Sequence, residues 1–370
     1  LYLLILQKAD ILNIRDIFQD ISVLELSSVL AGPLAGSFFS ECGAKVTKVE
    51  NKTAGGDITR QWKLKEENPE STAGAYYYAA NYKKEVLLLN FADRNEFAQL
   101  LALVADNDII LSNFQKRVAQ KYDLEPHKLF EKYPDKIIVQ LNAYDYDDPR
   151  PGFDLIMQAE TGFISMNGTE SGELCKMPVA MIDIMASHQI KEAILIALLK
   201  KEKTGLGSLV HISLFQSGIA SLANQASNYL MAGVIPGPMG TLHPNIAPYG
   251  DLFRSSDGVN FFLGIGSDHQ FKKLWETLNF FDQNDVTFVR NQDRLFNRKA
   301  LHEILQSVFS QKTIEFLSSV FQNCDIPFAV IKNLKEVFES PLCQSMILTQ
   351  TTDEGTKARS VSNIAFRFHD

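Results

Sequence analysis

Ile21-Ser-Val-Leu-Glu-Leu26 is followed without a break by Ser27-Ser-Val-Leu30 and then by Ala31-Gly-Pro-Leu-Ala-Gly36. The first run is short and apolar, with the length of a buried strand. The glycines and proline make Ala31–Gly36 read as a turn feeding a helix over Leu34–Cys42, and Gly43 stands where a helix C-terminus favours glycine. Directly after it, Ala44-Lys-Val-Thr-Lys-Val-Glu50 alternates with period two, a second strand. Further outward the same signals predict strands over Glu85–Phe91, Asp108–Ser112 and Lys136–Asn142, with a helix over Asn95–Ala105. Strands alternating with helices imply an α/β layer structure around a parallel sheet. The polar stretch between Asn51 and Tyr78 is long enough for a functional loop.

Past Pro151 the texture changes. A strongly helical segment begins near Ile184 and runs to Lys203, where Gly205 and Gly207 stop it; a strand over Leu209–Leu214 and a helix over Phe215–Met231 follow. Gly233-Val-Ile-Pro-Gly-Pro-Met-Gly240 reads as a linker. Beyond it, strands flank the Ser256-Asp257-Gly258 turn between Tyr249 and Leu263, and Gln270–Val337 is mainly helical, a smaller α+β domain. Two domains suit 370 residues, since a domain takes about 150.

Composition closes off several classes. With 45% apolar residues, and with Gly (21) and Pro (13) below their usual shares, the chain is neither disordered nor collagen-like. Cys42, Cys175, Cys324 and Cys343 form no CxxC pair, so neither a disulfide framework nor a zinc site is expected, and a reducing cytoplasm is the expected compartment. The apolar run Leu1–Leu6 is far short of the ~18 residues of a membrane span and lacks the flanks of a signal peptide. A chain beginning on Leu1 reads as missing its natural start. A net charge of -8 argues against a nucleic-acid binder but leaves room for a local cluster that holds phosphates. Two clusters qualify as such a patch or as solvated faces: Lys45, Lys48, Lys52 and Arg60, and then Lys116, Arg117 and Lys121.

The first strand-to-helix turn has only Gly32 and Gly36, with Pro33 after the first, so the GxGxxG fingerprint and NAD binding are not expected. No GxxxxGK[ST], HExxH or GxSxG occurs. Asp183 stands out, because Met177-Pro-Val-Ala-Met-Ile-Asp-Ile-Met-Ala186 sets one carboxylate in an apolar run. It reads either as the cap of the following helix or as a desolvated nucleophile, and the two are compatible, with the helix dipole keeping it ionised.

These pieces together resemble the class III CoA-transferases, which include formyl-CoA and carnitine CoA-transferases and, as a branch, 2-methylacyl-CoA racemase. The similarity runs from Val23 to about Met346. It rests on Val23-Leu-Glu-Leu with Leu30-Ala-Gly-Pro33, Gly43-Ala-Lys-Val-Thr-Lys-Val-Glu50, Gly56-Asp-Ile-Thr-Arg60, Asn113-Phe114, Pro151-Gly-Phe-Asp154, Pro178 through Asp183 to Gly207, His243-Pro-Asn-Ile-Ala-Pro-Tyr-Gly250, Asp257-Gly258 and Cys324-Asp-Ile-Pro-Phe328, in that order.

The resemblance implies an enzyme that moves CoA from an acyl-CoA thioester to a carboxylic acid, with Asp183 as the nucleophile and no metal. It implies a CoA site at Leu30, Ala31, Leu89, Asn90, Phe91, Asn113, Phe114 and Lys121, and acyl or acid contacts at Phe153, His243 and Asn245. Lys121 and Asn51 stand where the formyl-CoA enzyme has arginines. Leu30 replaces a glutamine, which disfavours formyl or oxalyl substrates because leucine neither donates nor accepts a hydrogen bond. The racemase branch uses a histidine where this chain has Phe153, which cannot hold a proton. Racemisation, and a non-catalytic acyl-CoA-binding paralogue, are the alternatives. The fold implied is a Rossmann-like large domain with a smaller α+β domain on long linkers, in an interlocked homodimer, with neither nucleic acid nor membrane as a partner. Residues 1–205 would form the large CoA-binding domain, 206–240 a linker strand and helix, 241–340 the small domain and 341–370 a return toward the large one, shortened by the end at Asp370.

Overall fold

The computed structural model describes residues 14–278 and 286–368. The run Leu1–Leu6 and residues 279–285 of the helical reading Gln270–Val337 lie outside the described residues.

Six strands, β1 (Ser22–Leu26), β2 (Lys45–Asn51), β3 (Glu85–Leu89), β4 (Ile109–Ser112), β5 (Ile137–Asn142) and β6 (Ser208–Ser213), form one sheet in the order β3-β2-β1-β4-β5-β6. All five pairings are parallel, and Val23 lies opposite both Val46 and Ile109. A parallel sheet is covered on both faces, which is why its central strands are apolar at consecutive positions. Successive residues part to opposite sides: Val23, Ile109, Leu111, Ile137 and Val139 pack into one core, and Leu24, Leu26, Ile110 and Ile138 into the other. The first core is closed by two helices, α1 (Ala31–Glu41) and α2 (Met181–Thr204), through Ala35, Phe39, Ile190 and Ile194. The second is closed by the helix Arg94–Asp106 through Leu100 and Val104.

Helix α1 begins earlier than its glycines and proline suggest, so Ala31–Gly36 is helical rather than a turn. Pro33 is tolerated because the first turn leaves its N–H groups without acceptors. The glycines serve contact instead: a Cβ on Gly32 would overlap the Ser27 side chain, and one on Gly36 the Glu25 carboxylate. Two other readings change. The helix over Phe215–Met231 is two helices, Leu214–Ala220 and Ala223–Ala232, broken where Ala223 takes a left-handed φ of 46°. The strand read as part of a linker is β6, an edge strand of the main sheet, registered from Ile137 opposite Ser208 to Asn142 opposite Ser213.

The described chain divides into two compact units, one of residues 14–163, 176–235 and 343–368, the other of 164–175 and 236–342 without the masked stretch. The second unit has an antiparallel sheet of β7 (Tyr249–Arg254), β8 (Asn260–Gly264) and β9 (Phe328–Val330) around an aromatic core of Phe253, Phe261, Phe309 and Phe321, all fully buried. The final hairpin, β10 (Ile347–Thr351) and β11 (Lys357–Val361), belongs to the first unit. There Gln350 accepts the Lys83 N–H, and the Glu41 carboxylate accepts the Asn363 backbone and side-chain N–H groups and the Ser362 hydroxyl.

Gly36→Ala is expected to lower stability by about 1–3 kcal/mol, as overpacking does in a close-packed core, because the Glu25 carboxylate it displaces also holds Lys48 and Lys84. Denaturant unfolding checks this; an unchanged midpoint would refute the contact.

Candidate functional site

In a doubly wound sheet the strand order reverses between β1 and β4, and the crevice outside their C-terminal ends is the natural ligand site. A cleft of about 870 Å³ opens there. Ser28 and Val29 line it from the end of β1, Asn113, Lys116 and Arg117 from beyond β4, Asn142 from the end of β5, Arg150 and Phe153 from beyond it, and Leu214 from the end of β6. Asn113 ties the switch point together: its Oδ1 accepts the Ser28 N–H at 3.2 Å and its Nδ2 donates to the Ser28 carbonyl at 3.1 Å. Arg150 lies 3.7 Å over the Tyr144 ring and pairs with Asp148 at 2.7 Å, while Lys116 pairs with Asp147 at 2.6 Å. Cationic and anionic groups thus share one rim.

Asp183 is the third residue of α2, not its cap; the cap position is Ala180, which has no side chain to accept a bond. The cap comes from elsewhere. Asp154, at the start of the helix Asp154–Glu160, accepts the Ile182 N–H at 2.7 Å and the Asp183 N–H at 3.4 Å through Oδ1. Its Oδ2 accepts from Gln158 Nε2 at 2.6 Å, and Gln158 Oε1 accepts the Met177 N–H at 2.8 Å. Asp183 is only 6% exposed. Burial, and after it the neighbouring Asp154, push its carboxyl up to about 7. The helix dipole therefore does not hold Asp183 in the ordinary carboxylate range, because the free amides that carry the dipole's positive end already face Asp154. Burial, then Asp183 and Asp154, also push up the phenol of Tyr76.

The residues expected around CoA separate. Asn113 lines the cleft, while Leu89 and Phe91 are buried in the second core and Phe114 packs on Phe91 with ring centroids 6.3 Å apart. Asn90 closes its own turn by accepting the Ala92 N–H, Leu30 stands just before α1, Ala31 is buried, and Lys121 sits over the Tyr122 ring. Phe153 is 56% exposed on the cleft wall. His243 and Asn245 belong to the second unit, where His243 Nδ1 accepts the Asn245 N–H at 3.1 Å and the Asn245 carbonyl accepts from Asn291. The first basic cluster is not a phosphate patch. Lys48 is fully buried between Glu25 and Asp57, Arg60 pairs with Glu50, Lys45 with Glu85 and Lys52 with Glu96. Among the described residues no group of three or more His, Cys, Asp or Glu could hold a metal, and no helix is long and apolar enough to cross a membrane.

A sequence model of CoA-transferase family III matches residues 18–370. The chain belongs to CoA-transferase family III. The succinate–glutarate CoA-transferase of Agrobacterium fabrum is 30% identical over 343 residues, 91% of this chain and 85% of that one. The succinyl-CoA:glutarate CoA-transferase of Homo sapiens is 30% identical over 338 residues, 90% of this chain and 76% of its own. The crystal structure of a CAIB/BAIF family protein from Brucella suis has a TM-score of 0.78 at 30% identity, covering 95% of this chain and 92% of that one. This family III chain is an enzyme of the CoA-transferase class, whose substrates are CoA thioesters.

Sequence patterns alone do not single out Val29 and Arg150, which line the cleft of this CoA-transferase, or Asp154, which accepts the amides at the start of α2. For Asp154 a signal exists: an Asp that opens a helix just after Pro151-Gly152.

Because the Asp183 carboxyl is raised, the folded chain holds this proton more tightly than the unfolded chain. The contribution to stability is complete below about pH 4 and is lost as pH rises through about 7, a loss of about 4 kcal/mol at most. Asp183→Asn is therefore expected to melt above wild type at pH 8 and level with it at pH 4. Calorimetry at both pH values checks this, and equal melting at pH 8 would contradict the burial of the charge.

Proposed function

We propose that this enzyme moves CoA from an acyl-CoA to a carboxylic acid through covalent intermediates on Asp183. The observation that carries the reading is a carboxylate nine-tenths withdrawn from water whose helix amides are taken by a second carboxylate. Stripped of hydration and of amide donors, its oxygens keep their electron density for attack. Asp183 Oδ attacks the thioester carbonyl, a C–O bond forms, the C–S bond breaks, and CoA leaves as thiolate, giving a mixed anhydride. The thiolate attacks the aspartyl carbonyl, releases the donor acid as carboxylate and leaves an aspartyl-CoA thioester. The acceptor carboxylate attacks that thioester and expels the thiolate again. Attack of the thiolate on the acceptor's carbonyl then yields the new acyl-CoA and restores Asp183. No proton is gained or lost over the cycle.

In this reading CoA lies along the switch-point cleft, with Asn113 and Phe153 toward the acyl end and Arg117 and Arg150 toward the phosphates. Arginine presents a fork suited to phosphate oxygens. Relatives named for succinate and glutarate make those dicarboxylates the first acceptors to try. Racemisation is disfavoured, since Phe153 on the cleft wall exchanges no proton. A homodimer and a cytoplasmic setting belong to the same reading.

Incubation with succinyl-CoA, followed by intact mass, is expected to show CoA attached to the protein at Asp183, and Asp183→Ala is expected to lose both adduct and turnover. Transfer that persists in Asp183→Ala would sink the mechanism. The pH profile supplies an independent check. Activity should rise through an acid limb near 7, where Asp183 ionises. Asp154→Asn keeps an oxygen for the α2 amides and removes a like charge, so the limb is expected to move to lower pH by roughly one unit. A shift upward, or none, would show that Asp154 does not act on Asp183.

A further inference from the structure

The loop that carries β1 into α1 is held at three successive residues by three different elements. The Ser27 carbonyl accepts from Lys48 Nζ of β2 at 2.7 Å, and Ser28 exchanges both backbone bonds with the Asn113 amide beyond β4. The Val29 N–H donates to both oxygens of Asp57, at 3.3 and 3.2 Å. Val29 has a φ of 74°. A β-branched side chain in the left-handed region is strained, and such strain persists only where the surroundings over-determine it. Val29 also lines the cleft.

We propose that Asp57 is a positioning residue that holds Val29 in its left-handed form and so shapes the cleft wall against which CoA binds, a proposal that rests on the cleft being the CoA site. The carboxylate suits the task. It is 3% exposed, its Oδ1 accepts the Thr59 N–H at 3.0 Å and the Thr59 hydroxyl at 2.8 Å, and its Oδ2 lies 3.1 Å from the fully buried Lys48 ammonium. Burial pushes the Asp57 carboxyl up, but Lys48 and the Thr59 groups outweigh it and hold it below the ordinary value. It therefore meets the Val29 N–H as an ionised acceptor. Without that acceptor Val29 is free to return to negative φ and carry Ser28 and Leu30 with it. Glycine in place of Val29 would adopt the same backbone form without strain.

The test is calorimetric titration of coenzyme A into wild type, Asp57→Asn, Val29→Gly and the double variant. Asp57→Asn is nearly isosteric but turns an N–H₂ toward donors, so its affinity is expected to fall by about tenfold or more. Val29→Gly removes a side chain from the cleft wall and sets its own reference affinity; adding Asp57→Asn to it should cost no more than about threefold further, because neighbouring sites couple. An Asp57 that merely stabilised the fold through Lys48 would give no such coupling. Asp57→Asn binding like wild type, or a full tenfold loss when Asp57→Asn is added to Val29→Gly, overturns the proposal. If wild type itself fails to bind coenzyme A, the cleft reading falls and this proposal with it, a result distinct from tight wild-type binding with no loss in Asp57→Asn. Should Asp57→Asn not fold, hydrogen exchange of wild type decides: a Val29 amide as protected as those of β1 supports the anchor, and one exchanging like an open loop refutes it.

Discussion

One ammonium group organises the cleft end of the sheet. Lys48 Nζ lies with no solvent exposure between Glu25 at 2.9 Å and Asp57 at 3.1 Å, and it also reaches the Ser27 carbonyl. Taking these charges out of water costs several kcal/mol per ion, and that cost is met only where each charge is fully partnered. Lys84 completes the partnering on the Glu25 side, where burial pulls its ammonium down to about 8 and Glu25 works against the fall. Beside it, Glu50 binds Arg60 and accepts the Asp57 N–H. A lattice of this kind has few satisfactory geometries. The end of β1, the start of α1 and the loop after β2 are all fixed by it, and the cleft takes its shape from them.

The sheet is legible because burial on both faces writes β1, β4 and β5 into the sequence as largely apolar runs, while period-two alternation marks β2, and all four are read within a residue or two. The edge strand β6 was read as a strand but not as part of the sheet. Its exposed His211 breaks the apolar run, and pairing to β5 is a non-local fact. Gly32 and Gly36 misled for a different reason: they reflect what α1 packs against, namely Ser27 and Glu25, and local propensity cannot see that contact. The basic cluster failed similarly, since Lys48 and Arg60 look like surface charges until their carboxylates are folded around them. Asp183 was conspicuous because an ion in an apolar run stands out by itself. Asp154 was not, because its meaning lies in amides 28 and 29 residues away.

The two aspartates divide the work that one capping residue does at an ordinary helix. A cap satisfies amides and is itself quieted by them. Here Asp154 satisfies the amides, and the carboxylate one turn inside the helix is left dehydrated with another negative group nearby. The raised Asp183 carboxyl follows from that division, and perturbed carboxylates of this kind cluster at functional sites.

The path of the chain has a further consequence for biosynthesis. The Glu41 carboxylate at the end of α1 has its partners at Ser362 and Asn363, more than 320 residues later in the chain. Such a closure belongs to the slow, non-local class of contacts. A nascent chain emerging at about 5–20 residues per second leaves α1 without these partners for many seconds, while the second unit, encoded between them, has all of its own strands in hand. The interrupted first unit is thus the last to be completed, and that interval is when a chaperone would have most to cover.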